Sequence, residues 1–394
     1  MKKRPIHPLL CLVSICAFPA ALKAQPLAPQ PLGPIELRAS AGIEHDTNVF
    51  RSPENAERSD EIGLASLGVK FDKRYGLQRV QLDAETTLYR YRNLSELDYS
   101  TLNYAAAWNW QLTPALQGVL SADRRQYRDV TNTPGLDRVS RRTTRSELFE
   151  ARYEIDGAWR ALAGLSRESN RSTDPRSFDA SYSVRNASAG AAYEFSSGRS
   201  LTARFRRGQG EYTDASGALP GADFRENEAE LLVKWPLTAK TSVDARAAYL
   251  ERNHSNAPER DFSGPVGNAS VTWDATEKIR LVAGVVRDLG SYQAAGSSYV
   301  QRSRIFVAPV YKPTVNTALN LRYERDLQSW RGAAPGTADS GRRDVTQWLS
   351  ATFDWEPRRK VTLSGSVRAE RRTSNLAVVS YRSTTIGAAV KVRF

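Results

Sequence analysis

From Ile35 to the last residue the chain repeats one pattern, and that pattern decides what it can fold into. Segments of about ten residues alternate apolar with polar side chains, and they are joined by a short turn and a longer polar loop in turn. Val80, Leu82, Ala84, Thr86 and Leu88 alternate with Gln81, Asp83, Glu85, Thr87 and Tyr89. Leu102, Tyr104, Ala106, Trp108 and Trp110 alternate with Asn103, Ala105, Ala107 and Asn109, and Ala229, Leu231, Val233 and Trp235 with Glu228, Glu230, Leu232 and Lys234. Val361, Leu363, Gly365, Val367 and Ala369 share one face, as do Ile386, Ala388, Val390, Val392 and Phe394. Period two places each set on one side of a pleated sheet, whereas a helix would smear it around its circumference.

The connections set the architecture. Short turns fall at 72–77, 112–115, 156–158, 196–200, 236–241, 274–278, 312–316 and 356–360, each supplied with the Gly, Pro, Asp or Asn that tight hairpins use. Longer polar loops fall near 45–60, 128–142, 168–180, 208–223, 252–265, 288–298 and 325–343. Such alternation is expected of periplasmic turns set against extracellular loops. Eight turns, with a first strand near 36–45 and a last near 382–394, predict an all-β, transmembrane, antiparallel up-and-down β-barrel of about 18 strands, 16 being the main alternative. A soluble sandwich or propeller also alternates, but its loops need not switch length in strict turn. Aromatic placement favours the membrane: Trp108, Trp110, Tyr153, Trp159, Tyr193, Phe195, Trp235, Tyr249, Trp273, Tyr311, Tyr323, Phe353 and Trp355 fall on the outward face, many beside a short turn. Rings there would form a girdle at head-group level. A mean hydropathy of −0.51 does not argue against this, since half of each strand faces water.

Residues 1–24 read as a secretory signal peptide. Lys2, Lys3 and Arg4 precede an apolar stretch from Leu9 to Leu22, and Ala24 offers a small residue at the cleavage point. Residues 25–34 form a Pro-rich linker expected to be extended, and 35–394 the barrel. Both cysteines, Cys11 and Cys16, lie in the leader, and Ala17-Phe18 after Cys16 is a poor context for lipidation. The mature chain therefore has no disulfide and no thiolate chemistry. Of the formal charge of +13, Lys2, Lys3, Arg4 and Lys23 carry four, leaving +9 on the mature chain. Behind a signal peptide this basic balance points to lipid head groups or an acidic polymer and away from nucleic acid.

With the apolar set facing lipid, the other set lines the lumen. The candidate pore-lining residues are Arg152, Arg160, Arg185, Arg204, Arg206, Arg246, Arg304, Arg322 and Arg368, with Tyr89 and Trp348 as aromatic candidates for stacking on sugar rings. Tyr91, Tyr127 and Phe306 join them on the same face. Acids are interleaved with these arginines, among them Asp83, Glu85, Glu150, Glu154, Glu228, Glu230, Asp244, Glu324, Asp354 and Glu370. Cross-strand pairing is expected, and an excess of Arg would bias a corridor toward anionic solutes. No enzymatic motif is present: neither a Gly-x-Ser-x-Gly elbow nor a phosphate-binding glycine loop occurs. His45-Asp46 could suggest a hydrolytic pair at the rim, though a solvated loop is the better reading; no catalysis, cofactor or metal is expected.

The opening strand runs Ala41-Gly-Ile-Glu-His-Asp-Thr-Asn-Val-Phe-Arg-Ser-Pro53. It resembles the Asp-x-Asn-[Val/Leu/Ile]-[Phe/Tyr]-Arg opening of the EpsL-like family, outer-membrane barrels encoded with exopolysaccharide biosynthesis operons, and places Asp46, Asn48 and Arg51 in the motif. The leader, length, strand rhythm and terminal Phe394 agree over nearly the whole chain. Val390-Lys-Val-Arg-Phe394 resembles the assembly signal of bacterial outer-membrane barrels, which implies the barrel-assembly machinery as a partner. The resemblance implies location in the Gram-negative outer membrane, in contact with its lipid. It also implies a channel for export of a polysaccharide, and a periplasmic polysaccharide-export protein as partner. A general or solute-specific porin, often constricted by an inserted loop such as 325–343, is the first alternative. A structural or adhesive barrel that binds a partner through its loops is the second. Asp46 and Asn48 also have a local reason to be there, since both hydrogen-bond their own backbone at a strand end.

Overall fold

A computed structural model describes residues 33–129, 140–173, 181–195, 198–212, 223–255, 258, 261–294, 297–331 and 340–394. The leader and residues 25–32 of the linker lie outside them. Eighteen strands form one sheet: β1 (Ile35–Asp46), β2 (Asp60–Tyr75), β3 (Gln78–Tyr91), β4 (Tyr99–Gln111), β5 (Leu116–Asp129), β6 (Ser140–Glu154), β7 (Trp159–Ser172), β8 (Tyr182–Glu194), β9 (Ser200–Tyr212), β10 (Phe224–Thr238), β11 (Thr241–His254), β12 (Phe262–Asp274), β13 (Ile279–Ala294), β14 (Ser297–Thr314), β15 (Thr317–Arg331), β16 (Arg343–Arg358), β17 (Val361–Ser374) and β18 (Tyr381–Arg393). Each is antiparallel to its neighbours in sequence, and β1 pairs with both β2 and β18, so the sheet closes on itself. Closure leaves no edge, which is what allows strands to sit in a medium that cannot hydrogen-bond them.

The seam is continuous, from Arg38 opposite Arg393 to Asp46 opposite Thr385. The terminal residue completes it: the Phe394 N–H donates to the Leu37 carbonyl at 2.9 Å, and the Leu37 N–H returns to Phe394 at 3.3 Å. The Phe394 ring points outward on the same face as Leu37, both exposed.

The eight expected short turns all join strands at the same end of the barrel, with residues 196–197 of one of them lying outside the described residues. They close by local chemistry. Gly76 takes φ +59° in the β2–β3 turn, a left-handed conformation that a Cβ disfavours. Asp156 accepts the N–H of Ala158 at 2.8 Å and of Trp159 at 2.7 Å, which holds its carboxyl below the usual carboxylate range. At the other end, two of the long connections are 92–98 and 375–380, each with a single 3₁₀ turn, Ser95–Leu97 and Ala377–Val379. Neither stands out in the sequence. The loop expected at 288–298 is largely strand, since β13 runs to Ala294 and β14 begins at Ser297.

The outer face is apolar, as the alternation demands. Ile43, Leu67, Leu165, Phe205, Val285, Leu349 and Ile386 are large, outward and exposed. Such a belt in contact with water would be an extended patch of a kind that soluble monomers rarely carry. Trp108, Tyr153, Trp159, Trp273, Tyr311, Phe353 and Trp355 ring its turn end, all outward and exposed. Trp110 belongs to the same girdle but is only 8% exposed. It lies flat over Gly118, where a Cβ would clash with the indole, and stacks on Phe149 at 5.9 Å.

Candidate functional site

The inner wall is a lattice of ion pairs. One run is unbroken across β6 to β11: Glu154–Arg160–Glu194–Arg152–Glu150–Arg204–Glu230–Arg246–Glu228–Arg206. Five acids alternate with five bases, so the run is neutral. The contacts are tightest at its β10–β11 end, around Glu228 and Arg246. Arg160 reaches Glu194 at 3.1 Å, Arg204 reaches Glu150 at 2.9 Å, and Arg206 reaches Glu228 at 2.7 Å. Arg246 holds Glu230 at 2.5 Å and also contacts Glu228. Glu228 is 1% exposed, a carboxylate made tolerable only by the two guanidinium groups around it. Arg204 on β9 bridges to Glu150 on β6 over Gly164, Ser188 and Gly190, small residues that leave the path clear.

The opposite wall mixes charge with aromatic rings. Arg322 lies over Phe306 at 4.6 Å and over Trp348 at 5.3 Å, and Arg368 covers Trp348 at 4.8 Å. Both arginines are also paired, Arg322 with Glu324 and Arg368 with Glu370, each at 2.7 Å, and Arg304 reaches Glu324 at 3.0 Å. Tyr89 stacks on Tyr99 with centroids 4.4 Å apart. The two proposed sugar-stacking rings therefore face the lumen but already spend their π-faces on neighbouring side chains.

Eight of the nine candidate arginines line the lumen, and every one of them is ion-paired. Arg185 does not. It lies two residues beyond Ala187, whose partner Leu165 is outward, so Arg185 is on the outer wall and exposed. Within the run from Glu154 to Arg206 acids and bases balance, so that stretch of wall carries none of the anion bias expected from an excess of Arg. Glu194, which joins Arg152 to Arg160, is a lumen residue the alternation implied but the sequence did not single out.

Asp46, Asn48 and Arg51 form a clamp at the loop end of the seam. The Asp46 carboxylate accepts from the Asn48 N–H at 2.9 Å, from Arg51 Nη1 at 2.8 and 2.9 Å, and from Ser383 Oγ of β18 at 2.7 Å. Asn48 is fully buried; its amide donates to the carbonyls of Ser52 at 2.8 Å and Arg382 at 2.9 Å, and its oxygen accepts the Ser52 N–H at 2.9 Å. The motif is thus explained by closing β1 onto β18 and starting the first loop. That loop folds inward: Val49 packs with Ile62, Tyr91, Leu94 and Leu97 in a small apolar core. Arg128 of β5 donates to the Val49 carbonyl at 3.1 Å and to the Tyr91 hydroxyl at 3.3 Å. Of the inserted loop expected at 325–343, residues 325–331 belong to β15 and 332–339 lie outside the described residues; among the described residues the loop at 47–59 packs inward together with the 92–98 connection.

His45 and Asp46, the pair at the rim, point to opposite faces of β1. His45 is outward and exposed while the Asp46 carboxylate points inward, as period two requires. His254 is buried, beside Asp261 at 3.3 Å and packed on Tyr212 and Phe224. Among the described residues no group of His, Cys, Asp and Glu is arranged to hold a metal ion.

A family described as "Putative beta-barrel porin 2" matches residues 233–394, from within β10 to the C-terminus. No curated protein matches the chain. The BenF-like porin of Pseudomonas fluorescens Pf-5 is similar in fold, with a TM-score of 0.51, 11% identity, and coverage of 91% of this chain and 99% of that one. The outer membrane protein OpdK of Pseudomonas aeruginosa superposes with a TM-score of 0.48 at 14% identity, covering 91% and 99%. OccAB3 of Acinetobacter baumannii gives 0.49 at 10% identity, with the same coverage. A closed 18-strand barrel with an apolar belt, an aromatic girdle and a polar lumen is an outer-membrane barrel of porin-like architecture.

Proposed function

We propose that the protein is a passive outer-membrane channel for small polar solutes, without catalysis. The observation that carries this reading is the neutral ladder from Glu154 to Arg206: a charged wall that holds water yet presents no net field. A solute crossing such a lumen exchanges hydration for contact with paired dipoles, which favours polar and zwitterionic molecules over strongly charged ones. The similarity of residues 233–394 to a barrel-porin family supports the same reading. Export of an exopolysaccharide rests on the opening motif, and its three residues have a structural role in the seam clamp.

Swelling of proteoliposomes in isotonic mono- and disaccharides, amino acids and dextran tests this. Entry of the small solutes with exclusion of dextran is the expected result. If the protein admits no small solute, and deletion strips polysaccharide from the cell surface while it accumulates in the periplasm, the porin reading is wrong and the export reading takes its place.

A further inference from the structure

Arg185 leads to a second feature, on the outside of the barrel. On three successive strands the first outward residue beyond the apolar belt, on the side of the long loops, is an arginine. Arg167 follows Leu165 on β7, Arg185 precedes Ala187 on β8, and Arg207 follows Phe205 on β9. Arg167 and Arg185 stand directly opposite each other, and so do Arg124 and Arg145 on β5 and β6. All but the half-exposed Arg124 are exposed. None of the five forms an ion pair with a described carboxylate; Arg167 makes a contact of 3.5 Å to Ser183, and Arg124 donates to the Leu102 carbonyl. The outward acids of this sector are Glu147, opposite Arg167, and Glu211, opposite Ser183. Like charges placed directly across strands disfavour the sheet unless something neutralises them.

Below this cluster the belt changes texture. Ala189, Ala203, Ala229 and Ala247 floor a shallow apolar depression of about 640 Å³, walled by Phe205 and Tyr249. The small outward residues continue under the arginines, since Ala163 of β7 stands opposite Ala189 and Ala151 of β6 opposite Ala163. Acyl chains fit against such a floor, and a planar guanidinium matches phosphate oxygens two at a time.

We propose that β7–β11 carry a binding site for a phosphorylated, multi-chain lipid of the outer leaflet, its phosphates on Arg167, Arg185 and Arg207 and its chains in the alanine-floored depression. The site depends on placement in the outer membrane and not on the channel reading, so conductance does not report on it. Near a membrane surface each arginine contributes to anionic-lipid affinity by roughly fivefold, and high salt weakens the effect.

The test measures binding of purified bis-phosphorylated lipid A, and of the same lipid after phosphatase treatment, by native mass spectrometry of the detergent-solubilised barrel. The expected result is retention of the phosphorylated lipid by the wild-type protein and not of the dephosphorylated one. The triple variant Arg167→Gln/Arg185→Gln/Arg207→Gln loses that retention, whereas Arg325→Gln/Arg371→Gln, on the far side of the barrel, keeps it. Equal binding of both lipids to the wild-type protein overturns the proposal whether or not the triple variant folds. Binding of an acidic polysaccharide in preference to the lipid also overturns it.

Discussion

The lumen and the outer wall of this barrel use the same residue in opposite ways. Inside, Arg204, Arg206 and Arg246 are each locked to one or two glutamates and are nearly shielded from solvent. Outside, Arg167, Arg185 and Arg207 are exposed and unpaired, and two of them face each other across a strand pair. The inner set is self-sufficient, so it stabilises the wall and leaves little net field. The outer set is complete only with an external anion. Chain-level charge therefore misleads here: the formal +13 of the sequence does not describe the neutral ladder of the inner wall.

The sharpest way to break this comparison is to remove one charge from each side. Glu228→Gln leaves Arg206 and Arg246 sharing a neutral amide in a site that is 1% exposed. Loss of one partner of a buried pair costs about 3 kcal/mol, which lowers the urea midpoint of the detergent-solubilised barrel. Arg185→Gln leaves that midpoint within about 0.5 kcal/mol of wild type, as exposed sites do. Equal losses at the two positions would erase the distinction between the walls.

The seam clamp comes next. Asn48→Ala removes three side-chain hydrogen bonds from a fully buried position, and leaving their partners unsatisfied costs about 2 kcal/mol. The effect is local, so limited trypsin digestion reads it: cleavage after Arg51 or Arg58 accelerates while the rest of the barrel resists. Uniform resistance would mean the motif has another purpose.

Much of this architecture is legible in the sequence because period two is enforced wherever one face meets lipid. The eight turns, the strand count and the girdle follow from that single rule. Arg185 is where the rule loses contrast. On β8 the outward set is Arg185, Ala187 and Ala189, and the inward set Val184, Asn186 and Ser188, so neither face reads as the apolar one; Val184 invites the wrong assignment, and it is buried inside. Pairs such as Arg204 with Glu150, separated by two intervening strands, depend on register and on the small residues between them. No local signal carries that. The inward fold of residues 47–59 has the same character, since Arg128 meets Val49 from three strands away.

Ion selectivity sharpens the comparison further. Arg204→Gln breaks the neutral ladder and leaves one excess negative charge on the inner wall. A unit charge at about 4 Å is worth about 1 kcal/mol in water, so the cation-to-anion permeability ratio rises by up to about fivefold. The reversal potential across a planar bilayer under a salt gradient measures it. Arg185→Gln, outside the pore, leaves the reversal potential where it was.

The smallest effect has an unusual sign. Arg167 and Arg185 are directly opposed like charges, and such pairs disfavour a sheet by a few tenths of a kcal/mol. In an uncharged detergent at low salt, Arg185→Gln, whose other cross-strand neighbour is the neutral Gln209, therefore raises the urea midpoint by a few tenths of a kcal/mol, although it removes a wild-type side chain. High salt screens the repulsion and shrinks the gain. Added phosphorylated lipid reverses the order, because only the wild-type pair is neutralised by it and binding to the folded state stabilises that state. A midpoint that ignores both salt and lipid would show that the outer arginines are solvated singly, and the two walls would then differ in burial alone.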